Sequence, residues 1–443
     1  MSSKAHNMTS GSIPRHLVRF SIPAILGDLF QVTYNTVDSV IVGQFAGAGA
    51  LAAVGVASPL MSVAMFFIIG MGIGASVLMS EFYGAGDMPR LRRQFATTLA
   101  MGAGFSVLIA LGLFMLTGPL LRLCHTPDAI FPETARYLRI VALGMVVTSM
   151  YNILAAASRS IGDTFTPLVC LVAGSLINVG LDLLFVARFA WGVAGAAWAT
   201  VIAQALSALL CAWLLRRNEP VLFASNGDFT PDRGLFLRTL RFSAPSAMQQ
   251  AGIYVGKLLV QSAVNPLGVS AIAAFNAVNR IDDYALIPER DIANGETVLV
   301  AQNRGAGKTD RMRRGFFTAM AFEAAYGLVV SVAVFALATP LMRLFVDPGE
   351  TEVIRLGVRY LRLMGLFYIL PGITNGLQGY MRALGKLKLT MVVTYGQMFT
   401  RAACTFLLIG RMGLDAVPLA CAAGWVMMTA WEVGLMEIGR AHV

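Results

Sequence analysis

The stretch Phe20-Ser-Ile-Pro-Ala-Ile-Leu-Gly-Asp-Leu-Phe-Gln-Val-Thr-Tyr-Asn-Thr-Val-Asp-Ser-Val-Ile-Val-Gly43 decides the kind of fold this chain adopts. It is long and apolar enough to cross a bilayer as a helix, which takes about 20 residues. Yet it carries Asp28 near one end and Asp38 well inside, with Pro23 fifteen residues before Asp38. A carboxylate at membrane depth costs roughly 2.5–3.5 kcal/mol on insertion scales, so it faces a cavity or a partner. Two readings stand side by side: a site for a cation or proton, or a buried acid paired with a neighbouring helix.

The remaining composition agrees with a membrane fold. Of 443 residues 57% are hydrophobic and 13% charged, and a soluble domain carries about twice that charge. Apolar blocks separated by short polar loops predict an all-α polytopic membrane protein. The net charge of +10 then reports on orientation in the bilayer, not on nucleic acid. The five cysteines, Cys124, Cys170, Cys211, Cys404 and Cys421, are scattered and form no C-x-x-C pair, so they read as packing residues. Met1 to Pro14 hold no apolar core followed by a cleavage site, so the first span reads as a retained anchor.

Twelve spans are predicted, near 17–43, 53–80, 93–121, 134–158, 164–188, 191–215, 240–264, 270–301, 315–343, 357–380, 388–410 and 415–438. Gly439 to Val443 leave almost no tail beyond the last. Span 8 is weak by hydropathy, because Arg280, Asp282, Asp283, Glu289, Arg290, Asp291 and Glu296 fall inside it. An internal repeat supports it. Phe20-Ser-Ile-Pro23 recurs as Phe242-Ser-Ala-Pro245, Gly84-Ala-Gly as Gly305-Ala-Gly, Pro119-Leu-Leu-Arg-Leu as Pro340-Leu-Met-Arg-Leu, and Tyr137-Leu-Arg as Tyr360-Leu-Arg. The offset stays between 221 and 223, so the chain is a duplicated six-span unit. An even number of spans per copy gives both copies one orientation, related by a pseudo-two-fold axis along the membrane normal. The expected divisions are a lobe over 1–216, a polar cytoplasmic linker over 217–234 and a second lobe over 235–443. The N-terminus, the even-numbered loops and the C-terminus hold about 21 Lys and Arg against about nine in the odd loops, which predicts cytoplasmic termini.

Several motifs need weighing. Gly305-Ala-Gly-Lys308-Thr309 suggests a phosphate loop, but the required earlier glycine is Gln302, and the repeat has no lysine there. It reads as a tight turn, so no ATP is expected in this chain and energy comes from an ion gradient. Span 5 contains Asn178-Val-Gly-Leu-Asp182, whose amide and carboxylate share one helical face. Such oxygens suit Na⁺, and a desolvated Asp suits H⁺; a hydrogen-bonded pair between helices is the structural alternative. The second copy has Val260 where the first has Asp38, and Arg401 and Thr405 where the first has Asn178 and Asp182. A cation site of this type therefore belongs to the first lobe alone. No metal site is expected beyond Na⁺ at Asp38 and Asp182. The histidines, His6, His16, His125 and His442, lie near the termini or in a loop, and no nucleophile–base set falls at depth, so no enzyme is expected.

Tyr34-Asn-Thr-Val-Asp38, the two Gly-Ala-Gly loops, Asn178-x-x-x-Asp182 and Gln302-Asn-x-Gly together resemble the multidrug and toxic compound extrusion (MATE) family, in its DinF-like prokaryotic branch. The resemblance runs from Pro14 to about Glu437. It implies a two-lobe, twelve-helix antiporter exporting amphipathic, often cationic, compounds by alternating access against inward H⁺ or Na⁺. It implies a coupling cluster of Tyr34, Asp38, Tyr137, Asn152, Asn178, Asp182 and Thr200, and a responsive bend at Pro23. Span 8 departs from the family in its charge. Asp282, Glu289 and Glu296 recur every seven residues, with Pro288 beside the middle one. They either line a cavity for a cationic substrate or pair with Arg280, Arg290 and Lys257; Gln249 and Gln250 in span 7 are weaker cavity candidates or helix–helix hydrogen bonds.

The sequence thus reads as an inner-membrane multidrug antiporter. Its partners are a small-molecule substrate and the lipid bilayer, with no nucleic acid and a monomeric state expected. It needs no cofactor, and its coupling ion is H⁺ or Na⁺. The alternative is a flippase for a lipid-linked precursor, but a pyrophosphate needs a basic lining and span 8 is net acidic.

Overall fold

The computed structural model describes residues 6–223 and 229–440, and all regular structure among them is helical. The middle of the expected linker, 224–228, and His442 lie outside the described residues. In the first half, α1 is Ile13–Ile41, α2 Gly47–Gly84, α3 Met88–Leu123, α4 Phe131–Ser160, α5 Phe165–Asp182 and α6 Gly192–Asn218. The second half has α7 Arg233–Val264, α8 Val269–Gly305, α9 Thr309–Phe345, α10 Thr351–Gly365, α11 Ile369–Ala383, α12 Leu387–Met412 and α13 Ala416–Arg440. Seven of these helical stretches are long and apolar enough by composition alone to cross a membrane. α8 is not one of them, but it runs unbroken for 37 residues through Pro288. The repeat, not hydropathy, is what identifies it.

Three local features depart from the predicted spans. First, span 10 is two helices, α10 and α11, joined over 366–368. Pro371 explains the break: it has no N–H to donate and its ring crowds the carbonyl four residues back, at Phe367. The first half has Thr148 at the matching place, and α4 is continuous there. Second, α1 runs into a π-helical stretch, Val42–Ala46, closed by Gly47 at φ +87°. Third, α5 runs into another, Leu183–Arg188. These two wide turns touch each other.

The chain forms two compact units that do not divide at the linker. One joins Ile22–Ala247 to the described residues up to Ser10; the other joins Gly11–Ser21 to Met248 and beyond. The start of α1 therefore belongs with the second unit, and the start of α7 with the first. The seats are specific. On α2, a β-carbon on Gly70 would come within 2.3 Å of Ala247 Cα, and one on Gly74 within 2.6 Å of Ser243 Cα. Small residues four apart on both helices let the backbones meet, the usual way helices bind in an apolar solvent. Ser243 Oγ then donates to the Met71 carbonyl at 3.0 Å. The second unit repeats the arrangement, with Gly295 of α8 against Phe20 and Ser21 of α1. Pro23 and Pro245 each lie within two residues of the point where their helix passes from one unit to the other.

The cores fit these assignments. In the first unit, α2, α4 and α6 pack small side chains such as Ala53, Ala57, Ala142 and Ala197 around Leu138 and Met145. In the second, Tyr360 and Tyr368 are among the largest fully buried side chains, beside Phe275, Val278 and Val417.

Candidate functional site

In the first unit α1 supplies Tyr34 and Asp38, one helical turn apart and so on one face. α5 supplies Asn178 and Asp182 in the same relation, and α4 supplies Tyr137. The structure brings four of these residues, Tyr34, Asp38, Tyr137 and Asp182, into one group. Asp38 and Asp182 meet carboxyl to carboxyl, with the Tyr34 and Tyr137 phenols facing both. Asn178 is buried one turn before Asp182. Asp182 is fully buried, and neither of its oxygens meets a hydrogen-bond donor, nor does Asp38 Oδ1. The Asn178 side-chain nitrogen is likewise unpartnered. The pair sits against the two π-helical turns: Asp182 is the last residue of α5 before one, and Asp38 lies four residues before the other. Such turns break the regular carbonyl ladder and recur at functional sites.

Two bare carboxylates held about 4 Å apart at an effective dielectric of about 20 repel by about 4 kcal/mol. The arrangement is relieved by one shared proton or one bound cation. Among the described residues no three His, Cys, Asp or Glu side chains converge as a metal site. A cation at this pair would take its further oxygens from phenols, the Asn178 amide and backbone carbonyls.

Two residues expected in the cluster bond elsewhere. Asn152 donates its amide to the Thr148 carbonyl at 2.8 Å, and the Thr200 hydroxyl donates to Ala196 at 3.0 Å, each within its own helix. Pro23 is half-buried inside an unbroken α1.

The second unit has no equivalent pair. Val260 is part of its apolar core. The Thr405 hydroxyl donates to the Arg401 carbonyl at 2.8 Å. Arg401 faces Asp282, which accepts a hydrogen bond from Tyr368, the residue in the break between α10 and α11. Lys257 makes its ion pair with Asp283 at 3.4 Å and also faces Asp282. Glu289 and Glu296 are fully buried and their carboxyl oxygens meet no hydrogen-bond donor. Sequence reasoning missed their neighbours. Glu323 of α9 and Glu432 of α13 are also fully buried; the Glu323 oxygens meet no donor, and Glu432 faces the Gln378 amide. Arg382 of α11 faces Glu296, Glu323 and Glu432. The signal was available, because Glu323 falls opposite Gly102 at the repeat offset. Gln249 donates to Gln378 at 2.9 Å and to Thr394 at 2.8 Å, knitting α7 to α11 and α12, while Gln250 is half-buried.

Comparison with known proteins fits this geometry. The MatE family profile matches residues 23–184 and 245–407. The chain is 28% identical over 390 residues to "Probable multidrug resistance protein YpnP" of Bacillus subtilis, covering 88% of this chain and 87% of that one. It is 23% identical over 429 residues to "Probable multidrug resistance protein NorM" of Thermotoga maritima, covering 94% and 89%. It is 25% identical over 358 residues to the FAD transporter of Shewanella oneidensis, covering 78% of each. Among solved structures, an outward-facing multidrug resistance MATE transporter of the MOP superfamily superposes with a TM-score of 0.92 at 21% identity, covering 99% of both chains. With two stretches that span most of both halves matching one family, this chain belongs to the MatE family of multi-pass multidrug-efflux membrane transporters.

Proposed function

We propose that the chain is an antiporter that exports amphipathic, cationic small molecules by alternating access, driven by H⁺ or Na⁺ taken up at Asp38 and Asp182. The observation that carries this reading is the donor-free carboxyl pair, present in the first unit and replaced by Val260 and Thr405 in the second. Loading the pair with one positive charge removes the repulsion between the carboxylates. The ion can shift the transporter between access states only by its difference in affinity for them. Tyr34, Tyr137 and Asn178 supply neutral oxygens that fit either ion. Asp282, Glu289 and Glu296, with Gln250, are the residues proposed to receive a cationic substrate, and Pro23 the point where α1 bends on loading. The protein works as a monomer without ATP, in the inner membrane, with both termini cytoplasmic.

The relatives are named for drug resistance and for FAD transport, and the net acidity of α8 does not suit a pyrophosphate-linked lipid. The test is substrate efflux from proteoliposomes under an imposed gradient, with Asp38→Asn and Asp182→Asn. Each variant is expected to fall to the leak rate of empty vesicles. Undiminished gradient-driven export in both overturns the proposal. A pure pH gradient set against a pure Na⁺ gradient then identifies the ion.

A further inference from the structure

Each unit carries a groove on its surface at the end where α3 gives way to α4, or α9 to α10. The first groove, of about 620 Å³, is formed by α3, α4 and α6; the second, of about 750 Å³, by α9, α10 and the start of α13. The two are the same site made twice. Each residue that α3 and α4 give to the first groove has its repeat counterpart lining the second, 221 or 223 positions on. Arg136 and Arg139 match Arg359 and Arg362. Phe114 and Leu143, which form the apolar flank, match Phe335 and Leu366. The halves have lost their likeness at Asp38 and Val260, and at Asp182 and Thr405, but keep it here.

The charge left in each groove is alike in amount, though one of the two arginines that carry it differs. The first is lined by Arg136 and Arg139 and by no acid, with Arg139 lying 5.7 Å over the Phe114 ring. In the second, Glu352 takes Arg355 at 2.7 Å and Asp415 takes Arg359 at 2.5 Å, which leaves Arg343 and Arg362. Two guanidinium groups thus remain unneutralised in each, beside exposed apolar side chains such as Phe114, Leu143 and Trp198. A lone arginine near a helix end needs no ligand, because it snorkels to the interface. A pair set in a groove with an apolar wall offers forked donors to a phosphodiester and a surface for an acyl chain. The positive-inside tendency works against placing such pairs at this end of the helices.

We infer that these grooves are twin binding sites for an anionic phospholipid, one per unit, with the phosphate on the arginine pair and a chain along the aromatic flank. The test uses the purified full chain in detergent and native mass spectrometry with added phosphatidylglycerol. Two retained lipids per chain are expected. Arg136→Gln/Arg139→Gln and Arg343→Gln/Arg362→Gln should each lose one, with about a tenfold or larger drop in apparent affinity at that site. Arg136→Lys/Arg139→Lys keeps the charge, and its retention of lipid separates loss of the site from loss of the fold. The inference is overturned if the Gln variants hold phosphatidylglycerol like the parent. It is equally overturned if phosphatidylcholine is retained as strongly, or if soluble glycerol phosphate displaces the lipid, which would make the grooves plain anion sites.

Discussion

At the scale of single residues, Arg382 has the most exacting position. It faces three of four fully buried glutamates in the second unit, and Gly379 makes room beside it: a β-carbon there would stand 2.9 Å from Glu296 Oε2. Removing one partner of a buried charge group costs about 3–5 kcal/mol, because the other is left uncompensated. Arg382→Gln is therefore expected to lower the midpoint of thermal unfolding in detergent sharply, and Arg382→Gln/Glu296→Gln to recover part of the loss. A midpoint unchanged by the single substitution would show that the arginine does not neutralise the cluster. Asp38, Asp182, Glu289 and Glu296 were legible in the sequence because a charge inside an apolar run stands out. Which side chains meet them was not. Helical period fixes the face a residue occupies, not which neighbouring helix that face finds. Asn152 and Thr200, carried over from the family resemblance, each donate to a carbonyl of their own helix.

At the scale of elements, the helix count was readable and its irregularities were not. The internal repeat recovered α8 despite its charge. The break between α10 and α11 follows from Pro371 against Thr148, a difference visible only once the repeat is aligned residue by residue. Of the two π-helical turns, Leu183–Arg188 carries no comparable mark, having neither Gly nor Pro, whereas Val42–Ala46 contains Gly43 and is closed by Gly47. Two predictions belong here. A proline in a helix interior costs about 3 kcal/mol, so Pro23→Ala should raise or preserve thermal stability while slowing gradient-driven efflux; unslowed efflux would remove α1 as a bending element. Gly74→Ala forces a β-carbon onto the Ser243 backbone, which has little freedom to yield. It should destabilise by about 1–3 kcal/mol, read as a lower unfolding midpoint, whereas Gly104→Ala on α3, with open space around it, should not.

At the scale of the whole molecule, orientation has a built-in reporter. Cys124 is exposed between α3 and α4, Cys170, Cys211 and Cys421 are buried, and Cys404 is half-buried. With cytoplasmic termini, Cys124 faces outward, so a membrane-impermeant maleimide added to intact cells should label the parent and not Cys124→Ser. Labelling only after permeabilisation would reverse the assignment. The exchanged openings of α1 and α7 bear on history as well as folding. A half-length ancestor built this way would leave its own second helix unseated, and could complete itself only by lending its first turns to a sister chain. Fusion of two such copies would join the swapped pair in one polypeptide. The two halves, produced as separate chains, should accumulate only when made together.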